Sequence, residues 1–284
     1  LVVTQPDSRV GRKQEIAYPP VKVRAKELGI DVFQPVSIRQ EYEYIVKNYQ
    51  YDLIVSAAYG QIVGMKFINS APYRAINVHA SLLPKGRGGA PIQRAIINGD
   101  KETGISIMYM EKGMDTGAIL SQKSIEIADN DTKETLFNKL GELGASMIND
   151  TIAKLASGSI TPIVQDETKA TYTYALTKED EILDFTKSAF LVNARLRGLG
   201  EIGATFFIDG EAFKVYKMEV LDSISKNPVK TIDEVTKKYF TIVCGDSKLI
   251  KIEELKPAGK NLMKVSDFLN GRGKNILIKG KKVD

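Results

Sequence analysis

The order of short apolar strands and helices in the first half of the chain constrains its fold more than any other feature. Residues 52–56 and 75–79 are apolar runs of strand length, and residues 104–110 have the same character. Helices are predicted over 21–28 and 91–97, and a glycine soon follows each of them. Because strands that alternate with helices pair through helical crossovers, we expect a parallel α/β sheet.

A long helix and a change of pattern mark the end of this first domain. The helix is predicted over 131–156, where Asp131 and Glu134 have the spacing of a capping box. The segment after it has no clear hydrophobic period, which is typical of a linker. The predicted organisation is a first domain over 1–158, a linker over 159–177 and a C-terminal domain over 178–284.

The C-terminal domain is predicted to be rich in β-structure. Two pairs of strand-like segments are separated by short turns, Asp209-Gly210 in the first pair and Gly245-Asp246 in the second. The paired segments are 204–208 with 212–221, and 239–244 with 248–255. Two hairpins in so short a domain favour closure into a barrel.

Composition narrows the chemistry that is open to the chain. Its 284 residues include one cysteine, Cys244, and one histidine, His79, which excludes an intrachain disulfide and zinc sites built from His and Cys. We expect no metal. The hydrophobic share of 43% and the charged share of 26% are those of a globular protein. No signal peptide or apolar run of about 18 residues is present, so a cytoplasmic location and no membrane partner are expected.

Charge and the first residues of the chain add two further expectations. Residues 1–177 carry 20 basic and 19 acidic side chains, whereas residues 178–284 carry 20 and 16. This surplus in the C-terminal domain suits a polyanionic partner. Residues 1–4 already have the character of a buried strand, so the first domain is expected to be truncated at its N-terminus.

Candidate catalytic side chains cluster around the single histidine. Strand alternation places Asn77 and His79 on one face at the carboxyl end of a strand, which is the ligand side of an open α/β sheet. The loop over 81–91 has glycines that permit a ligand to approach its backbone, and Asp115 follows another strand. An amide, an imidazole and a carboxylate suit acyl transfer to an amine.

These residues lie in motifs that resemble the folate-dependent formyltransferases. The motifs are Asn-Val-His-Ala-Ser-Leu-Leu-Pro at 77–84, Arg-Gly-Gly-Ala-Pro-Ile-Gln-Arg at 87–94 and Met-Asp-Thr-Gly at 114–117. Further matching segments, among them Val-Gln-Asp-Glu-Thr at 164–168, spread over nearly the whole chain. The resemblance implies a Rossmann-like formyltransferase domain followed by an OB-like β-barrel domain that binds tRNA.

The resemblance also implies substrates and roles. The formyl donor would be 10-formyltetrahydrofolate, bound along Ser81, Leu82, Leu83 and Pro84. The acceptor would be the amino group of methionine on initiator tRNA. Asn77 and a protonated His79 would hold the oxyanion of the tetrahedral intermediate, and Asp115 would favour that protonated imidazole and take up the proton of the amine. The tRNA would be contacted by Arg9, Arg12 and Lys13.

Two alternatives remain open at this point. A formyltransferase acting on a nucleotide-linked amino sugar would share both domains and the catalytic trio, although the basic stretch around Arg12 favours tRNA. A catalytically inactive RNA-binding relative is the alternative outside the enzymes. In each case we expect a monomer.

Overall fold

The computed structural model of the protein describes residues 1–11 and 14–284. Its α-helices are α1 (Pro20–Glu27), α2 (Ile38–Asn48), α3 (Met65–Ile68), α4 (Pro91–Asn98), α5 (Lys133–Ala156), α6 (Ala189–Leu199) and α7 (Val265–Leu269). Short 3-10 helices lie at Glu167–Lys169, Glu179–Glu181, Gly200–Ile202 and Arg272–Asn275. No α-helix in this described part combines the length and the apolarity that crossing a membrane requires.

The strands fall into an N-terminal and a C-terminal series. The N-terminal series is β1 (Val2–Val3), β2 (Ser8–Val10), β3 (Glu15–Ala17), β4 (Val32–Phe33), β5 (Ile54–Ala57), β6 (Ala75–His79), β7 (Arg87–Gly88), β8 (Glu102–Tyr109), β9 (Ile119–Glu126) and β10 (Tyr172–Thr173). The C-terminal series is β11 (Ala204–Ile208), β12 (Glu211–Val215), β13 (Glu219–Ile224), β14 (Ile232–Val235), β15 (Phe240–Val243), β16 (Lys248–Ile252), β17 (Glu254–Pro257) and β18 (Met263–Lys264).

Two compact units divide the chain, and each is built from separate segments. The first unit consists of Leu1–Arg87, Ile105–Lys123 and Leu143–Ala170. The second unit consists of Gly88–Gly104, Ser124–Glu142 and Thr171–Asp284. Segments that are distant in sequence therefore contribute to the same unit.

The main sheet of the first unit is mixed, not parallel. It has the order β5-β6-β8-β9, with β5 and β6 parallel. Strand β8 runs antiparallel to β6, so His79 pairs with Ser106 and Ile76 pairs with Tyr109. The prediction of an all-parallel sheet is wrong here. The helix between these strands, α4, belongs to the second unit, so it does not serve as the crossover that a parallel pair requires.

Strands β1 and β4 form a separate parallel pair in the first unit. A small core of Ile38, Ile45 and Phe67, with Val3 and Phe33 against it, joins α2 and α3 to this pair. Strands β1 and β5 both line a cavity of about 500 Å³. Among the described strands, β1 pairs only with β4 and β5 only with β6. Strands from two different sheets of this unit, each at the edge of its sheet, therefore line this cavity.

The long helix α5 begins two residues later than predicted because its cap differs from the predicted one. Thr132 and Thr135 form the reciprocal cap: each side-chain oxygen accepts a hydrogen bond from the other residue's backbone N–H, at 2.9 and 3.3 Å. Asp131 is engaged elsewhere, since its carboxylate accepts from the backbone N–H of Ala128 and from Lys139. The capping box with Asp131 is therefore displaced by one residue.

Two four-stranded antiparallel sheets form most of the second unit, with the orders β11-β12-β17-β18 and β13-β16-β15-β14. Both predicted hairpins are confirmed at their turns, because Ile208 pairs with Glu211 and Val243 pairs with Leu249. The second segment of each is not one strand, however: 212–221 divides into β12 and β13, and 248–255 into β16 and β17, in different sheets. The fully buried ring of Phe206 lies in the core of this unit, against Phe185, Phe213 and Phe240. The described pairings leave two distinct sheets, and the closed OB-like barrel stays a prediction.

Helices α4 and α6 approach closely in the second unit because α6 carries a glycine at the contact. A Cβ on Gly198 would lie 2.6 Å from the side chain of Ile97 and 2.9 Å from the backbone oxygen of Gln93. Arg94, on α4, donates to the carboxylate of Asp180 at 2.5 and 2.7 Å. Its guanidinium also donates to the backbone oxygen of Tyr174 at 3.1 Å. Arg94 therefore ties the segment after residue 170 to α4.

The ion pair between Arg94 and Asp180 should stabilise the fold at neutral pH and lose this effect in acid. The hydrogen bond from Arg94 lowers the pKa of Asp180 from 3.8 to about 2, and the two side chains are only 20% and 15% exposed. A depressed carboxyl pKa stabilises the fold above pH 4, and this contribution is lost as the pH falls through 2. We expect Asp180→Asn to lower the free energy of unfolding at pH 7 by roughly 1–2 kcal/mol.

Denaturant unfolding between pH 7 and pH 2 measures this effect. The difference between the parent protein and Asp180→Asn should shrink as the pH falls below 4. Asp129→Asn is the control, because its ion pair with Lys101 at 3.5 Å is 79% and 75% exposed and contributes little. An equal loss at pH 7 and pH 2 would contradict the predicted role of the Asp180 charge.

Candidate active site

Strand β6 places the candidate catalytic residues by simple alternation. Asn77 and His79 share one face, as predicted, while Ile76 and Val78 share the other. Helix α5 covers the second face, and Gly144 makes this possible, since a Cβ there would lie 3.1 Å from the side chain of Val78. The apolar face of β6 is therefore packed against the helix. Its polar face is left to Asn77 and His79 at the carboxyl end of the strand.

The imidazole of His79 is buried and contacts a partner through each ring nitrogen. Nε2 lies 2.9 Å from the backbone oxygen of Gly86. Since a carbonyl oxygen only accepts, this contact assigns the hydrogen to Nε2. Nδ1 lies 3.6 Å from Oδ2 of Asp115. The buried ring thus lies between a carbonyl oxygen and a carboxylate, both of which are hydrogen-bond acceptors.

Asp115 reaches His79 by a route that the sequence did not reveal. Strand β8 is antiparallel to β6, so its last residue, Tyr109, pairs with Ile76 at the start of β6 and not with His79. The loop between β8 and β9 carries Asp115 back to the imidazole. Asp115 has a left-handed backbone there, with φ at 53°. The structure thus brings His79 and Asp115 together at the polar face of β6.

The predicted folate loop is held in place by two polar side chains that the sequence analysis did not identify. Oγ of Ser106 accepts from the backbone N–H of Leu83 at 3.1 Å and donates to the backbone oxygen of Ser81 at 2.7 Å. Gln122 donates to the backbone oxygen of Leu83 at 2.9 Å. Ser81 and Leu83 are buried, whereas Leu82 and Pro84 are half-buried. Contact of this loop with folate stays a prediction.

Two further polar residues, Arg87 and Gln165, contact each other, and Gln165 contacts the loop of Asp115; no sequence pattern had assigned them a role. The side chain of Arg87 is fully buried and donates to Oε1 of Gln165 at 3.0 and 2.9 Å. The amide of Gln165 donates in turn to the backbone oxygen of Asp115 at 2.8 Å. Both residues belong to motifs that carried the family resemblance, and that membership was the only signal in the sequence.

Arg9, one of the predicted tRNA contacts, lies on a small antiparallel hairpin of β2 and β3, in which Ser8 pairs with Ala17. Arg9 is exposed on β2. Arg12 and Lys13 lie outside the described residues. The base of the hairpin is anchored by Asp7, which accepts from Gln34 at 2.8 Å and from the buried Lys22 at 2.6 and 2.7 Å. These contacts, with that of Gln34 first, hold the pKa of Asp7 below its usual value.

The single cysteine has no place in the chemistry of this site. Cys244 lies in the second unit, where its side chain is fully buried. Burial, followed by the nearby charge of Asp246, raises the pKa of its thiol to about 12. A thiol with such a pKa is not a nucleophile at neutral pH. Cys244 therefore supplies no nucleophile to the chemistry predicted around His79.

Known proteins match this chain along almost its whole length. A family model for formyl transferase matches residues 1–152, and one for the formyl transferase C-terminal domain matches residues 175–273. The methionyl-tRNA formyltransferase of Pediococcus pentosaceus is 42% identical over 279 residues, which are 97% of this chain and 87% of that protein. Its counterpart in a Geobacillus species is 43% identical over 280 residues, or 98% of this chain and 88% of that protein.

Solved structures share the fold at lower identity. An N-formyltransferase from Helicobacter canadensis, solved with folinic acid and dTDP-3-aminofucose, has a TM-score of 0.66 and 20% identity. The match covers 87% of this chain and 86% of that one. The family resemblance predicted from the sequence is confirmed, with a Rossmann-like formyltransferase domain in the N-terminal part. The chain belongs to the formyltransferase family and, within it, to the methionyl-tRNA formyltransferases.

Proposed function

We propose that the protein transfers the formyl group of 10-formyltetrahydrofolate to the amino group of methionine on initiator tRNA. The observation that carries this proposal is the imidazole of His79, held between the Gly86 carbonyl and Asp115 on the same strand face as Asn77. The reaction needs no covalent intermediate on the protein. A hydrogen-bond donor for an oxyanion and an acceptor for a proton are sufficient for acyl transfer to an amine.

The methionyl nitrogen attacks the formyl carbon, and a carbon–nitrogen bond forms while the carbonyl oxygen becomes negative. The Asn77 side-chain amide and the His79 imidazolium stabilise this oxyanion. Asp115 takes the proton that the amine loses, directly or through a water molecule. The oxyanion then re-forms the carbonyl as the bond between the formyl carbon and N10 of the folate breaks, N10 receives the proton held by Asp115, and tetrahydrofolate leaves.

We also propose the domain boundaries, the residues that bind each substrate and the location of the protein. Residues 1–158 form the catalytic domain, residues 159–177 the linker, and residues 178–284 an OB-like domain that binds tRNA. Folate lies along 81–84, from Ser81 to Pro84. Arg9, Arg12 and Lys13 bind the acceptor end of the tRNA, and the protein acts in the cytoplasm. The charge surplus of the last 107 residues supports tRNA binding by the C-terminal domain, although Arg272 and Lys281 are already paired with Glu211 and Asp209.

A formylation assay with two acceptors tests the proposed function. The protein is incubated with 10-formyltetrahydrofolate and either charged initiator Met-tRNA or a nucleotide-linked amino sugar, and the formylated product is measured. We expect formyl-Met-tRNA, and we expect its formation to disappear in His79→Ala. Formylation of the sugar alone would identify the other enzyme class. Binding of tRNA without turnover on either acceptor would indicate an inactive relative.

The proposed contact between Arg12 and tRNA predicts that the salt dependence of tRNA binding changes when Arg12 is removed. If Arg12 contacts a phosphate, Arg12→Ala releases fewer counterions on binding, and the slope of log K against log salt falls by about 1. The affinity for tRNA is then lower at low salt, while kcat with saturating tRNA changes little. Binding titrations at several salt concentrations measure the slope. Lys47→Ala, on the exposed surface of α2, is the control, and an unchanged slope in Arg12→Ala would rule out the contact.

A further inference from the structure

The guanidinium of Arg87 is fully buried and contacts two other side chains. Its Nη1 and Nη2 donate to the two carboxylate oxygens of Glu167 at 2.9 and 2.7 Å. Its Nε and Nη2 also donate to Oε1 of Gln165 at 3.0 and 2.9 Å. A buried guanidinium fixes the acceptors around it, because each N–H donor that loses its acceptor costs free energy. Arg87 therefore holds the segment with Gln165 and Glu167 firmly.

The amide of Gln165 can point in only one direction. Its Oε1 faces the guanidinium, which has donors alone, and its Nε2 faces the backbone oxygens of Asp115 and Gly117, which are acceptors alone. These last two distances are 2.8 and 2.7 Å. A flipped amide would oppose donor to donor and acceptor to acceptor. The orientation of Gln165 is thus transmitted to the backbone on both sides of Thr116, in the loop that carries Asp115.

Arg87 is also the immediate neighbour of Gly86, whose carbonyl is the partner of His79 Nε2. The two contacts of the imidazole, one with Gly86 and one with Asp115, therefore come from segments that are joined to the same hydrogen-bonded pair. A change in the pair would move both contacts relative to the ring. All of these residues lie in the first compact unit.

We propose that Arg87 and Gln165 are positioning residues, which act through the Gly86 carbonyl and the Asp115 loop to hold His79 in its reactive orientation. We call this pair the clamp. The inference deepens the proposed function and rests on it for its kinetic part. Since a misplacement of about 1 Å can cost 100-fold in rate, loss of the clamp should lower kcat by about 10–100-fold. The Michaelis constants for tRNA and folate should change less than about threefold.

Two variants of Gln165 separate a positioning role from a loss of stability. Gln165→Leu removes the acceptor for Arg87 and the donors to the Asp115 loop together. Gln165→Glu keeps an acceptor and adds a compensating charge for Arg87, but its carboxylate oxygens cannot donate to the backbone oxygens of Asp115 and Gly117. We expect both variants to lose kcat to a similar extent. Thr151→Val is the control, because it removes an equally buried hydroxyl that donates to Met147 in α5.

A double variant asks whether Gln165 acts through Asp115. If it does, Gln165→Leu added to Asp115→Asn should cost no more turnover than Asp115→Asn alone. Thermal unfolding of each variant confirms that it is folded. A kcat within threefold of the parent protein in both folded Gln165 variants would overturn the clamp. Losses that multiply in the double variant would overturn it as well.

The single histidine of the chain supplies a readout that does not depend on turnover. Because His79 is the only imidazole, its ring signals in an NMR spectrum need no further assignment. Gln165→Leu and Gln165→Glu should shift these signals, whereas Thr151→Val should leave them in place. If the parent protein formylates neither acceptor but the signals shift, the proposed function fails and the clamp stands. Unshifted signals in both Gln165 variants would overturn the clamp.

Discussion

Asp115→Asn is expected to lower the turnover of Met-tRNA formylation by about 10²–10⁴-fold. The substitution keeps the size of the side chain but removes the negative charge 3.6 Å from Nδ1 of His79. The imidazole then loses the negative charge beside it, and the amine loses its proton acceptor. The affinity for tRNA should change little, because the residues proposed to bind it are Arg9, Arg12 and Lys13. Steady-state kinetics with saturating substrates measure the loss.

A surface carboxylate in the same unit provides the matched control. Asp150→Asn removes a charge from α5, where Asp150 is 65% exposed and pairs with Lys154 one turn away. This change should leave turnover within about twofold of the parent protein, since exposed pairs of this kind contribute little. If Asp115→Asn kept more than a tenth of the parent turnover, the proton-acceptor role would have to be abandoned.

Gly117→Ala is expected to have the second largest effect. A Cβ at this position would lie only 1.8 Å from the backbone oxygen of Tyr109, so the loop between β8 and β9 must move to accept it. Forced displacement in a packed site costs about 1–3 kcal/mol in the free energy of unfolding. The same movement would carry Asp115 away from His79, and a shift of about 1 Å can lower turnover by 100-fold. Denaturant unfolding and steady-state kinetics of the same preparation measure both effects.

Gly141→Ala is the control that separates displacement of the loop from the effect of replacing any glycine by alanine. Gly141 lies within α5, and a Cβ there meets no atom within 4 Å. Because alanine is the better helix former, Gly141→Ala should stabilise the protein by up to about 1 kcal/mol and leave turnover unchanged. Full activity in Gly117→Ala would show that the loop can accommodate the methyl group without moving Asp115.

Some features of the site could be predicted because they depend on neighbours in sequence. The shared face of Asn77 and His79 follows from strand alternation, which operates over two residues and was confirmed. The two C-terminal hairpins were equally accessible, since a short turn between apolar segments determines their pairing. The cap of α5 was displaced by one residue because Asp131, a suitable capping residue, is engaged by Ala128 and Lys139 instead.

Other features could not be predicted because they depend on contacts across long stretches of chain. The direction of β8 is one of them: a strand between two helical patterns suggests a parallel crossover, but α4 belongs to another compact unit. The contact between His79 and Asp115 is another, since a loop folding back from the far end of β8 makes it. Sequence motifs indicated that Asp115 mattered without indicating how it reaches the imidazole.

The family, the candidate trio of Asn77, His79 and Asp115, and the local elements that carry them could be read from the amino-acid sequence, because motifs and periodicity are properties of adjacent residues. Which groups contact His79 and the loop of Asp115 depends on the tertiary structure. Gln165 lies 78 positions from Arg87 along the chain, and their pairing depends on a buried charge that must find acceptors wherever folding brings them. Such a contact follows from three-dimensional packing, which no local pattern encodes.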